Sequence, residues 1–255
     1  QAVSWLATGA ALWQFDRCLR LLTPGARAES RWAFAGLALA LAPVFVRAGL
    51  TVMSDALGLA LALAALANGL RVLETGKIGT AVWAALFVGL AVTTRFSLAA
   101  LLAPLLVVVV FYLLENRKWA MASLMFLAGI VGFLPHFWLK MGAARNAFSH
   151  SLLQDWSLLH LFQSTFSNTN GTVDYSLPNI LYILYPLAHP GFCLLLPGLF
   201  FLAKKTDIHL NVKWILLACL GTYLLLLGGV SHQNLRYLLP AYVVLLLLFF
   251  PAWDR

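Results

Sequence analysis

Four ionisable residues stand where they can do chemistry, each at a short break between long apolar runs. Arg47 lies in Phe45-Val46-Arg47-Ala48-Gly49-Leu50, and Asp55 follows in Thr51-Val52-Met53-Ser54-Asp55-Ala56-Leu57. Arg95 ends the run Gly89-Leu90-Ala91-Val92-Thr93-Thr94-Arg95-Phe96-Ser97, and Arg236 sits in His232-Gln233-Asn234-Leu235-Arg236-Tyr237-Leu238-Leu239-Pro240. Guanidinium groups match phosphate oxygens bidentately, so three arginines at such breaks suit a lipid-linked phosphate. Asp55 suits an acceptor hydroxyl and leaves open a divalent metal. Each has a plainer explanation as well. The arginines can snorkel to the interface, and Ser54 or Asp55 can cap a new helix.

A second group lies in one polar stretch, about 140–179. His150, Gln154, Asp155, His160, Asn168, Asn170, Asp174 and Tyr175 offer polar and aromatic groups to a sugar or polar acceptor, with Trp156 and Phe162 as stacking faces. No spacing here is diagnostic of a metal, and a solvated loop explains the histidines equally well. Asn170-Gly171-Thr172 is a glycosylation tripeptide, a pattern that chance produces often. Asn179, Tyr182, Tyr185 and His189 border the next run and read as an aromatic belt rather than a cavity lining.

The elements that must position these residues are apolar runs near the ~20 residues of a spanning helix. About nine are readable, at 2–15, 32–50, 52–70, 78–94, 96–114, 119–139, 180–203, 214–230 and 237–252. The first is short for a span, and the seventh holds Pro186, Pro190 and Pro197, which predict a bent or broken helix. The fold expected is all-α: a polytopic transmembrane helix bundle forming one domain over 1–255, with one long outer loop. Twelve Lys and Arg fall on one side of the alternation and five, namely Arg47, Arg95, Lys140, Arg145 and Arg236, on the other. The positive-inside rule makes the first side cytoplasmic and puts the residues of interest outside.

Composition excludes most other classes. The 255 residues are 62% hydrophobic and 10% charged, with a mean hydropathy of +0.87. Soluble domains carry roughly 25% charged residues, so a bilayer is the solvent that fits. The net charge of +8 is spread between apolar runs instead of gathered on one face, which argues against nucleic acid. Cys18, Cys193 and Cys219 lack metal-type spacing and read as packing residues.

Together these segments resemble the C-type glycosyltransferase superfamily, in the branch that includes protein O-mannosyltransferases and the aminoarabinose transferases of lipid A. The resemblance rests on Pro43-Val44-Phe45-Val46-Arg47 with Met53-Ser54-Asp55-Ala56-Leu57, on Gly89-Leu90-Ala91 leading to Thr94-Arg95-Phe96-Ser97 and Pro104, and on Leu235-Arg236-Tyr237-Leu238-Leu239-Pro240-Ala241-Tyr242. It implies an integral membrane enzyme of the cell envelope. Such an enzyme moves a sugar from a polyprenyl-phosphate donor to a lipid, glycan or protein acceptor at the extracytoplasmic face. A bacterial cytoplasmic membrane with the active face toward the periplasm or exterior is the expected setting. The resemblance also implies that this chain starts at the family's second span, so the first span, the first outer loop and its catalytic base lie upstream. The chain alone is then expected to be inactive. Asp55 matches the family's second acidic position, and Arg95 and Arg236 match positions near the carrier phosphate.

Three rivals remain open on the residues alone. A secondary transporter places its sites near the bilayer midplane between repeats, and no such symmetry is visible. An outer-face glycan polymerase or ligase also combines arginines with a long outer loop, but acts on an oligosaccharide diphosphate. A purely structural membrane subunit is a third.

Overall fold

The computed structural model describes residues 2–50, 54–141, 155–168, 171–192 and 210–254. It is an all-α helical bundle with one small hairpin among the described residues. Helix α1, Ala2–Leu22, turns Ala7, Ala11, Phe15, Cys18 and Leu19 inward, spaced by helical turns, and leaves Val3, Trp5, Leu6 and Trp13 exposed. The apolar run 2–15 was expected to be short for a span. The helix runs on for another two turns because Asp16, Arg17 and Arg20 pair within it or with the next element.

That next element is α2, Ala28–Ala40, followed after Leu41 and Ala42 by α3, Pro43–Leu50. The two are bent by 81°, so the expected span 32–50 is not one straight helix. Pro43 is the reason. It has no N–H for the preceding turn, and it pushes the residue before it away from helical geometry. If α2 crosses the membrane, the bend lays α3 nearly along its surface.

Helix α4, Ser54–Thr75, is the centre of the bundle and packs against α1, α5 (Ile78–Thr94) and α6 (Leu98–Glu115). Its buried residues are mostly small: Ala56, Gly58, Ala60, Ala62, Ala64, Ala65, Ala67 and Gly69. Without a hydrophobic drive between helices in lipid, close backbone approach is what holds such a helix among several neighbours. Helix α7, Trp119–Met141, lies along α5 so closely that a Cβ on Gly89 would stand 2.5 Å from the Gly129 carbonyl oxygen. Its other side, with Phe126 and Trp138, is open.

The polar stretch follows. It contains a short 3-10 helix, Leu158–Phe162, and a hairpin of β1 (Thr165–Asn168) and β2 (Gly171–Asp174), with Thr165 opposite Asp174. Two single-turn helices come next, α8 (Asn179–Tyr182) and α9 (Tyr185–Ala188), then a 3-10 turn, Pro190–Phe192. The expected span 180–203 therefore begins as short turns broken by Pro186 and Pro190, and its remainder lies outside the described residues. Helix α10, Leu210–Gly228, runs back along α6. A 3-10 turn, Leu235–Leu238, leads into α11, Leu239–Trp253, which is buried over nearly its whole length.

Among the described residues, four helices are long and apolar enough to cross a membrane, or five if α2 and α3 form one broken span. The expected count of nine spans is not confirmed among the described residues. Helix α5 and the turn leading through α11 are apolar but shorter, and breaks at proline divide others.

Candidate functional site

Asp55, Arg95 and Arg236 meet at one end of the bundle. Asp55 is the second residue of α4, where a carboxylate complements the helix dipole. Arg95 closes α5 in extended geometry, one residue before the tight turn into α6. Arg236 lies in the 3-10 turn that Asn234 caps, its N–H donating to the Asn234 side chain at 3.2 Å. A helix start, a helix end and a 3-10 turn bring the residues together, and only α5 and α6 join with almost no loop.

The Arg95 guanidinium forms an ion pair with Asp55 Oδ1, and their side chains are 10% and 3% exposed. It also lies 4.6 Å from the centre of the Tyr237 ring, and Arg236 lies 5.2 Å from the same ring. One aromatic ring thus serves two cations, whose centres are within about 10 Å of each other. Arg95 Nη1 reaches the Arg236 carbonyl at 3.4 Å. Among the described residues, two guanidiniums and one carboxylate meet at this corner. Asp55 Oδ2 and Arg95 Nη2 are buried with no hydrogen-bond partner among the described residues. A buried acceptor and a buried donor left bare are each costly.

Buried tyrosines fix the ring. The Tyr223 hydroxyl donates to the Tyr237 carbonyl at 2.7 Å. Tyr182 donates to the Asn234 carbonyl at 2.7 Å and accepts from its N–H at 3.0 Å. Asn179, fully buried, donates to the carbonyls of Gly228 at 2.9 Å and Val230 at 2.6 Å, and accepts from Gln233 Nε2 at 2.9 Å. Asn179 and Tyr182 were expected in an aromatic belt; instead they bind the polar stretch to the chain before α11. Tyr185 and His189 stack on each other, and His189 Nδ1 accepts from the Gly191 N–H.

The other expected site residues do not join Asp55 in any described contact. Arg47 is on the exposed side of α3, although that helix packs against the Leu235–Leu238 turn. Asp155 and Asp174 are exposed, Asp174 at the end of β2. His160 Nδ1 donates to the Gly229 carbonyl at 2.8 Å, and the Tyr175 hydroxyl meets His232 Nδ1 at 3.2 Å. His150 lies outside the described residues. No three His, Cys, Asp or Glu side chains gather as metal ligands among the described residues. At Asp55, Arg95 already holds one of the two oxygens a metal would want.

Sequence reasoning overlooked Asp16. Its side chain is fully buried at the opposite end of the bundle, paired with Arg20 one turn on and with Arg31 Nε at 2.9 Å. Arg31 also donates to the Ala26 carbonyl, so this cluster ties α1 to α2. An acid four residues ahead of a base, inside an apolar helix, was the available signal.

Comparison with known families bears directly on the Asp55 end. Residues 18–139 match the dolichyl-phosphate-mannose-protein mannosyltransferase family. The match is to the C-type glycosyltransferase superfamily that the sequence motifs resemble, and it supports a membrane glycosyltransferase of that type. The matched segment contains Arg47, Asp55 and Arg95 and ends before Arg236. No curated protein and no solved structure matches the chain.

Proposed function

We propose that the chain belongs to a glycosyltransferase that takes a sugar from a polyprenyl-phosphate carrier and passes it to an acceptor on the extracytoplasmic face. The observation that carries the reading is the convergence of Arg95 and Arg236 on one ring, beside a buried carboxylate. Charges at membrane depth are expensive and rarely kept without use. A phosphate leaving group is stable as an anion, so it calls for nearby cations and no general acid. Arg95 and Arg236 would hold that phosphate, and Asp55 would fix the Arg95 fork while offering Oδ2 to a hydroxyl of sugar or acceptor. The transition state at the sugar carbon is oxocarbenium-like, as in glycoside hydrolysis. The matched family's name couples a dolichyl-phosphate sugar to a protein, in keeping with a lipid-linked donor. The twelve-to-five division of cations over the expected alternation of runs supports an outward orientation for this end of the bundle.

The test is binding of a polyprenyl phosphate to the purified protein in nanodiscs. Arg236→Ala leaves the Asp55–Arg95 pair in place and should weaken binding roughly ten- to a hundredfold, the loss of one charge-assisted contact. Arg95→Lys and Arg236→Lys should keep only part of the affinity, because the planar fork is gone. Unchanged affinity in Arg236→Ala and in both Lys variants would remove the phosphate from this corner.

A further inference from the structure

The 3-10 helix Leu158–Phe162 has two unlike faces. On one, the chain is pinned to the last turn of α10. Trp156 Nε1 donates to the Leu226 carbonyl at 3.0 Å, the Ser157 N–H donates to the Gly229 carbonyl at 3.0 Å, and His160 adds its bond to the same oxygen. Leu161 covers Gly228 so closely that a Cβ there would stand 2.3 Å from Leu161 Cδ2. These groups satisfy carbonyls that a helix C-terminus otherwise leaves bare. On the other face, Leu158, Leu159 and Phe162 are 52%, 70% and 72% exposed. The adjoining α8 adds Ile180 and Leu181, also exposed.

The bonds to α10 set the depth of this patch. Asn211–Gly228 is an apolar stretch of 18 residues, and at 1.5 Å per residue it accounts for most of a hydrocarbon core. Its last turn therefore marks the level where acyl chains give way to head groups, and the 3-10 helix hangs from that turn. Three large apolar side chains, with no Lys, Arg, Asp or Glu among Leu158–Phe162, face outward at that level. We propose that Leu158, Leu159 and Phe162 insert into the lipid leaflet at the Asp55 end of the bundle, making this 3-10 helix a membrane-surface anchor for the polar stretch. The patch continues the lipid-facing surface of α10, whose Leu225 is half exposed one residue before the Trp156 contact.

The experiment places a bimane fluorophore at Leu159→Cys in the full chain, with Cys18, Cys193 and Cys219 changed to Ala, reconstituted in phosphatidylcholine nanodiscs. Thr172→Cys on the exposed hairpin is the aqueous reference. Lipid carrying a nitroxide near the head of its acyl chain should quench position 159 at least twofold more than 172, and iodide should quench it several-fold less. Equal access of iodide to both positions would mean open water and overturn the proposal. Protection of position 159 from both quenchers would mean a protein surface covers it, and would overturn it too. Phe162→p-benzoylphenylalanine with all native cysteines retained provides a second readout: illumination should yield a lipid adduct, and its absence from correctly folded protein counts against insertion. None of these outcomes bears on the arginine corner.

Discussion

Replacing Arg95 by Met tests what the Asp55–Arg95 pair contributes. The substitution deprives a carboxylate that is 3% exposed of its ion-pair partner, leaving Arg236 as the nearby cation, and removes a guanidinium 4.6 Å from the Tyr237 ring. Breaking a buried pair by deleting one partner costs about 3–5 kcal/mol, and a cation over an aromatic ring adds about 0.5–2 kcal/mol. The pair stands at a helix end near the membrane surface, which favours the lower ends, about 3.5 kcal/mol in total. At roughly 2–4 °C per kcal/mol for a chain of this size, melting should fall by about 7–14 °C. Asp55→Asn keeps the shape and leaves Arg95 its ring and carbonyl contacts, so it should cost less, about 1–2 kcal/mol. Asp55→Asn combined with Arg95→Met removes both charges, and should recover about 2 kcal/mol relative to the sum of the single changes. The assay is thermal unfolding in nanodiscs at one fixed scan rate, since membrane proteins rarely unfold reversibly. Additivity of the two substitutions within about 0.5 kcal/mol would refute the view of Asp55 and Arg95 as one buried electrostatic unit.

At the opposite end, Arg20 and Arg31 share Asp16 but differ in exposure, 52% against 10% for their side chains. Arg20→Ala should cost no more than about 1 kcal/mol, as exposed helical pairs do. Arg31→Ala should cost several times that by the same melting assay, and equal losses would contradict the ranking. Between α5 and α7, Gly89→Ala forces a methyl against the Gly129 carbonyl and the Gly132 backbone. The expected loss is about 1–3 kcal/mol, with weaker cross-linking between cysteines placed on the two helices.

The helical, membrane-embedded character was legible from composition and run length alone, because a chain with so few charges has little choice of solvent. The grouping of Asp55, Arg95 and Arg236 at one end was also readable, since each sits at a break between runs and breaks alternate sides. What hydropathy does not carry is geometry at those breaks. Pro43 was visible, yet a sliding apolar count passes straight through it, so α2 and α3 were merged. Asp16 was missed because cations were counted for sidedness and the acid among them was not asked for a partner. Asn179 and Tyr182 looked like interfacial residues by type, but they are buried, and only the fold shows that their polar atoms meet backbone groups some fifty residues away. Tyr223, mid-run in an apolar segment, gave no hint that its hydroxyl braces the Tyr237 backbone.

The Asn179 junction has a mechanical consequence. Its amide grips Gly228 and Val230, Gln233 grips Asn179 in return, Tyr182 clasps Asn234 from both sides, and Asn234 holds the Arg236 N–H. No link in that series is a loose side chain in water. An unbroken series of hydrogen bonds therefore runs from the polar stretch to the Arg236 backbone.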